Sequence, residues 1–181
     1  MLESSTRQAQ SIAGAPMHAL EIVFGFPVSK FLAGAVILLA GIALYPFARY
    51  RYAAWVLALV GLSQLTTRLV AGVLKNVFLR PRPSEALASG QGSFFTDGSS
   101  FPSGHAAHFW PFFFAALIAF PRWRIPLFVL ALFVSLARVA VNDHYVGDVA
   151  SSAAIAAIVT YGYARALGPR LAGAMQYSDP S

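Results

Sequence analysis

Apolar residues gather in five long runs, and the breaks between them are made of arginine, lysine, proline and glycine. The first covers residues 31–47, between Lys30 and Arg49. The second covers about 53–74 and is interrupted by Gln64 and Arg68. The third starts after Pro102 and ends near Phe120, the fourth covers about 125–141 and contains Arg138, and the fifth covers about 149–167 and is stopped by Gly168-Pro169. A bilayer core of about 30 Å takes roughly 17–25 helical residues, so each run predicts a membrane-crossing helix. Pro111, inside the third, removes a backbone hydrogen bond and predicts a kink that membrane helices tolerate.

A weaker segment, about 9–26, precedes them. Ile12, Pro16, Ala19, Val23 and Phe26 recur at helical spacing, with Ser11, His18 and Glu21 on the other side. This pattern predicts a helix lying in the interface, with a short sixth span as the alternative. It lacks the basic start, uninterrupted apolar core and cleavage site of a signal peptide. The chain therefore reads as an all-α integral membrane bundle of five to six helices: an N-terminal segment 1–29, a transmembrane domain 30–170 and a short tail 171–181.

Composition sharpens this picture. The chain of 181 residues is 57% hydrophobic and 11% charged, whereas soluble domains hold roughly 45–50% and about 25%. Such a chain cannot be intrinsically disordered. With no cysteine, disulfide scaffolds, thiolate metal sites and cysteine nucleophiles are excluded. The net charge of +6 points in so apolar a chain to cytoplasmic loops and anionic headgroups, not to nucleic acid. Arg49 and Arg51, Arg122 and Arg124, and Arg165 and Arg170 all fall on one side of the bundle. The positive-inside rule makes that side cytoplasmic. The loop 83–101 and the turn 143–148 then face outward, at a bacterial inner membrane toward the periplasm.

Ionisable residues inside spans are expensive, roughly 2.5–3.5 kcal/mol each on insertion scales, and mark candidate functional positions. Here they converge on the outer end. Gln64, Arg68 and Lys75 share one face of the second span, Arg82 follows its end, His105 opens the third span, and Arg138 closes the fourth. His144 and Asp148 are spaced i and i+4, neighbours where that turn is helical.

Lys75-x6-Arg82-Pro83, Pro102-Ser103-Gly104-His105 and Arg138-x5-His144-x3-Asp148 together resemble the three-part signature of the type 2 phosphatidic acid phosphatases, or lipid phosphate phosphatases. That superfamily also holds glucose-6-phosphatase, bacterial acid phosphatases and vanadium haloperoxidases. The resemblance covers about residues 73–149. One position departs: the third motif usually begins Ser-Arg, and here Ala137 precedes Arg138, with Ser135 poorly placed to replace the missing hydroxyl.

The chemistry of the residues agrees with what the resemblance implies. A phosphate monoester carries nearly two negative charges, and its transition state spreads charge over three oxygens. Lys75, Arg82 and Arg138 supply three positive charges, the guanidinium forks pairing phosphate oxygens bidentately. Ser103 is a natural N-cap, and the Gly104 amide points from a helix N-terminus toward an anion. His144, with Asp148 holding its tautomer, is the expected nucleophile forming a phosphohistidine. His105 is the expected acid for the leaving oxygen and base for water. No metal or other cofactor is expected.

Other residues carry quieter expectations. Arg80 reads as a solvated or headgroup-facing charge, Asp143 as a loop acid or helix cap, and His108 as a packed or substrate-adjacent residue. Arg68 pairs with Asp143 or Glu85, or meets a second phosphate about 10 Å beyond Lys75 by helical rise. Phe94 and Phe95, in a glycine-rich loop across the site mouth, dip into the headgroups and guide a lipid. The expected activity is hydrolysis of a terminal phosphate from a lipid phosphate or pyrophosphate. Undecaprenyl pyrophosphate, phosphatidylglycerol phosphate, phosphatidate and lipid A are the candidate substrates. A phosphotransferase using the same phosphohistidine, and a non-catalytic lipid-phosphate binder, are the alternatives. The partners expected are the lipid substrate and membrane lipids.

Overall fold

The computed structural model describes residues 29–178; the expected interfacial helix lies outside the described residues. Within them the chain is all-helical: α1 (Leu32–Leu44), α2 (Arg51–Phe78), α3 (Pro83–Ser89), α4 (Gly104–Ala119), α5 (Arg124–Ala140) and α6 (Val146–Ser178). Single 3-10 turns, Ala48–Tyr50 and Pro121–Trp123, lead into α2 and α5.

Local chemistry sets the boundaries. Leu79 takes a left-handed conformation and ends α2. α3 falls where the sequence predicts a plain loop: Pro83 occupies its first turn, and the Arg82 amide donates to Glu85 Oε2 at 2.7 Å. Ser103 caps α4 as expected, its Oγ accepting from the Ala106 amide at 3.4 Å. α6 does not stop at Gly168-Pro169 but continues to Ser178. A proline removes one backbone donor, and here the helix bridges that gap.

α4 is the central element. Ala106, Ala107, Phe109, Phe113 and Ala115 are buried among α2, α5 and α6. Trp110 packs with Val134 and Ala156 in the main core cluster and donates its indole N–H to Ser135 Oγ at 2.9 Å, which commits Ser135 to the core. α1 lies along α2, where a Cβ on Gly61 would stand 2.8 Å from the Gly34 carbonyl oxygen. α5 packs on α4 and scarcely touches α6. A cavity of about 690 Å³, lined by Phe114, Ile118, Phe128 and Ala157 among others, lies where these three helices diverge.

The outer surface is apolar: Val36, Leu39, Leu69, Val73, Ile125, Val129 and Ile158 are all more than half exposed. The helical stretches Ala48–Ser89 and Pro121–Ala140 are long and apolar enough to cross a membrane by length and composition, while α1 and α4 are apolar but shorter.

The segment between α3 and α4 is laced to the chain leaving α2. The Phe95 amide donates to the Phe78 carbonyl at 2.8 Å, and the Ser100 amide donates to the Arg80 carbonyl at 2.8 Å. Gly98, at φ +146°, makes this approach possible, since a Cβ there would lie 2.6 Å from the Arg80 carbonyl oxygen. The end of α2 and the start of α4 thereby meet the start of α6, where the Ser103 amide donates to the Asp148 carbonyl at 3.1 Å.

Candidate active site

Two cations of α2 reach the first turn of α4. Lys75 donates to the Ser99 carbonyl, and Arg68 donates through Nη1 to the Gly104 carbonyl. A Cβ on Gly104 would meet Arg68 Nη1 at 3.2 Å and Lys75 Cε at 3.7 Å, so glycine lets both side chains approach this turn closely. Arg68 is buried. Its hydrogen bond to the Gly104 carbonyl braces the first turn of α4.

Arg82 and Arg138 converge from different elements on Asp143. Arg82 Nη1 lies 3.2 Å from Oδ1, and Arg138 Nη2 donates to Oδ2. Asp143, a loop acid as expected, also meets two guanidinium groups, one carboxylate oxygen to each.

Asp148 is fully buried in the first turn of α6. Its Oδ1 accepts from Arg80 Nη1 at 2.7 Å; its Oδ2 accepts from the Tyr145 amide at 3.0 Å and from the Ser100 hydroxyl. His144 is buried too, but in the turn before α6 and not on the helix. Its Nδ1 stands 3.8 Å from Asp148 Oδ2 and 3.4 Å from Ser100 Oγ. Burial pushes the His144 imidazole below its ordinary pKa, Lys75 and Arg138 push the same way, and Asp148 opposes them. Burial and the two cations thus favour the neutral ring.

Arg80 corrects the sequence reading most clearly. It is no solvated charge: besides its ion pair with Asp148, its guanidinium lies 3.7 Å from the centre of the Tyr145 ring and 4.6 Å from that of Phe94. A signal for it existed, because in an extended Arg80-Pro81-Arg82 segment residues two apart face the same way. Ser100 gave no such signal; its role depends on the path of the loop.

His105 lies in the first turn of α4, close enough to Arg138 and Arg68 to feel their charges. His108, one turn on, is fully buried: Gln64 Nε2 donates to its Nδ1 at 3.0 Å, and Phe109 and Phe112 meet its ring edge-on. That core position replaces the substrate-adjacent one. Phe94 and Phe95 stack with Phe78 beside the site, Phe94 also meeting Phe101, and Phe95 is the more exposed.

Cations around a glycine-opened helix terminus, with a buried imidazole facing them, define a site suited to phosphoryl-group chemistry. The family model of the PAP2 superfamily matches residues 49–171, and the chain belongs to that superfamily. Two curated proteins named lipid A 1-phosphatase are similar to it. One, from Rhizobium johnstonii, is 35% identical over 162 residues, covering 81% of this chain and 66% of the relative. The other, from Rhizobium etli, is 34% identical over 143 residues, covering 71% of this chain and 62% of the relative. The chain thus spans a little under two thirds of the length of the relatives it matches.

Proposed function

We propose that this chain is a multi-pass membrane phosphatase that hydrolyses the phosphate monoester of a lipid through a phosphohistidine. The observation that carries the reading is the buried His144 beside Asp148, facing the Lys75 and Arg138 charges. His144 Nε2 attacks phosphorus as the bond to the lipid oxygen breaks, and His105 delivers the proton to that oxygen. Water, activated by His105, then cleaves the N–P bond and releases phosphate. The three cations neutralise charge without a metal ion.

The helices α1, α2, α4, α5 and α6 cross the bilayer, with α3 and its loop at the extracytoplasmic surface of a bacterial inner membrane. Arg165 and Arg170 fall at the other end, where Arg170 lies 5.6 Å from the centre of the Trp55 ring near the start of α2. That placement supports the orientation drawn from the arginine distribution.

Charge favours a monoester over a diphosphate. Asp143 offsets one of the three cradle charges, leaving two against the nearly two negative charges of a monoester. Arg68, the residue available for an inner phosphate, is engaged by Gly104. The names of the relatives make the 1-phosphate of lipid A the first substrate to try. The test is phosphate release by the purified chain from lipid A, phosphatidate, phosphatidylglycerol phosphate and undecaprenyl pyrophosphate, with chelator present. Turnover of a monoester lipid is expected, lipid A foremost. Release from none, or dependence on one added metal, would overturn the reading.

A further inference from the structure

We propose that Ser100 is a positioning residue for His144, its hydroxyl linking the imidazole to Asp148 and fixing which nitrogen attacks. The inference rests on the phosphohistidine reading above. The His144 Nδ1 to Asp148 Oδ2 separation of 3.8 Å is too long for a hydrogen bond. Ser100 Oγ lies beside this gap and reaches both atoms, 3.4 Å from Nδ1 and hydrogen-bonded to Oδ2. Ser100 is fully buried, so no bulk water competes for either contact.

The carboxylate is also held from its other side. Arg80 engages Oδ1, and the Tyr145 amide shares Oδ2. Asp148 accepts from these donors and from the Ser100 O–H, so the remaining lone pair of Ser100 accepts from His144 Nδ1–H. That chain of donors leaves Nε2 unprotonated and nucleophilic. When Nε2 bonds to phosphorus, the imidazolium keeps its Nδ1 proton, and its charge is felt by Asp148 through the serine hydroxyl. The backbone supports the same arrangement, because the Ser100 amide is tied to the carbonyl of Arg80. One short stretch of paired chain thus brings Arg80 and Ser100 to the same carboxylate.

Two variants test this. Ser100→Ala removes the hydroxyl; Ser100→Cys keeps the volume but offers only a weak donor. Each is assayed on the best lipid monoester, alongside binding of inorganic phosphate to the full chain in detergent. Both are expected to lose roughly 10- to 100-fold in kcat, the scale of losing a residue that orients a reacting group, with phosphate affinity within twofold of wild type. The acidic limb of the kcat profile should also move to lower pH. His144 faces Lys75 from α2, His105 from α4, Arg138 from α5 and Asp148 from α6, and of these only Asp148 favours its protonation, a pull that the serine transmits. Full activity in Ser100→Cys would reduce the role to packing and overturn the proposal. So would an unmoved acidic limb, or kcat within twofold of wild type in Ser100→Ala. A wild-type chain that binds phosphate but hydrolyses no lipid overturns the phosphatase reading itself.

Discussion

Two carboxylates one turn apart do different work. Asp148, buried and surrounded by donors, is the carboxylate proposed to govern the tautomer of His144; Asp143, partly open, meets Arg82 and Arg138. Asp148→Asn is expected to lower kcat nearly as far as His144→Ala, which should abolish turnover while inorganic phosphate still binds; phosphate release and equilibrium binding on the same samples check both. Asp143→Asn keeps the shape but loses the charge that spaces the arginines, so KM for lipid monoesters should change severalfold while kcat changes less. Burial and nearby cations hold the His144 pKa below its ordinary value. On the proposed mechanism, activity limited by His144 should therefore persist to lower pH than an imidazole of ordinary pKa allows, as a pH profile of kcat/KM will show.

At the scale of elements, the helix ends that face the site were legible in the sequence, and the connections and the far end of α6 were not. Lys75, His105 and Arg138 sit at the ends of apolar runs, where periodicity and proline fix the boundary. Arg80, Ser100 and Asp143 owe their roles to side chains meeting across an irregular loop, which hydrophobic pattern does not encode. The same reason explains Arg68. Its helical face was readable, but its hydrogen bond to Gly104 depends on how closely α2 and α4 approach. Arg68→Ala should therefore lower kcat/KM about equally for monophosphate and diphosphate lipids, since it disturbs the α4 terminus both would share. A comparison of the two substrate classes decides this. Gly98→Ala should be more damaging, because its Cβ would displace the backbone that carries Ser100; thermal melting and phosphate affinity should both fall.

For the whole molecule, the apolar exterior and the one-sided arginines predict a definite topology. A cysteine introduced at Ser93 should react with an impermeant thiol reagent in intact cells, and one at Arg122 should not; reversed labelling would place the site in the other leaflet. The helical class followed from the sequence. The length of α6 did not, because a Gly-Pro pair ordinarily breaks a helix and here tertiary packing carries it through, with Leu171 set against the cluster formed by Leu59, Ala115 and Leu167.

The one-sided attachment of α5 bears on the order in which the protein comes apart. Local stability follows the apolar contact each segment makes, and α5 leans mainly on α4 while a cavity lies between its first half and α6. Its far end, by contrast, is pinned through Arg138 to Asp143. In detergent, amide hydrogens along residues 128–136 should exchange with solvent sooner than those along 106–115, and faster still once Asp143 is changed to asparagine. Opening would thus begin in the helix that brings Arg138 to the site, and phosphate bound to that arginine should slow it.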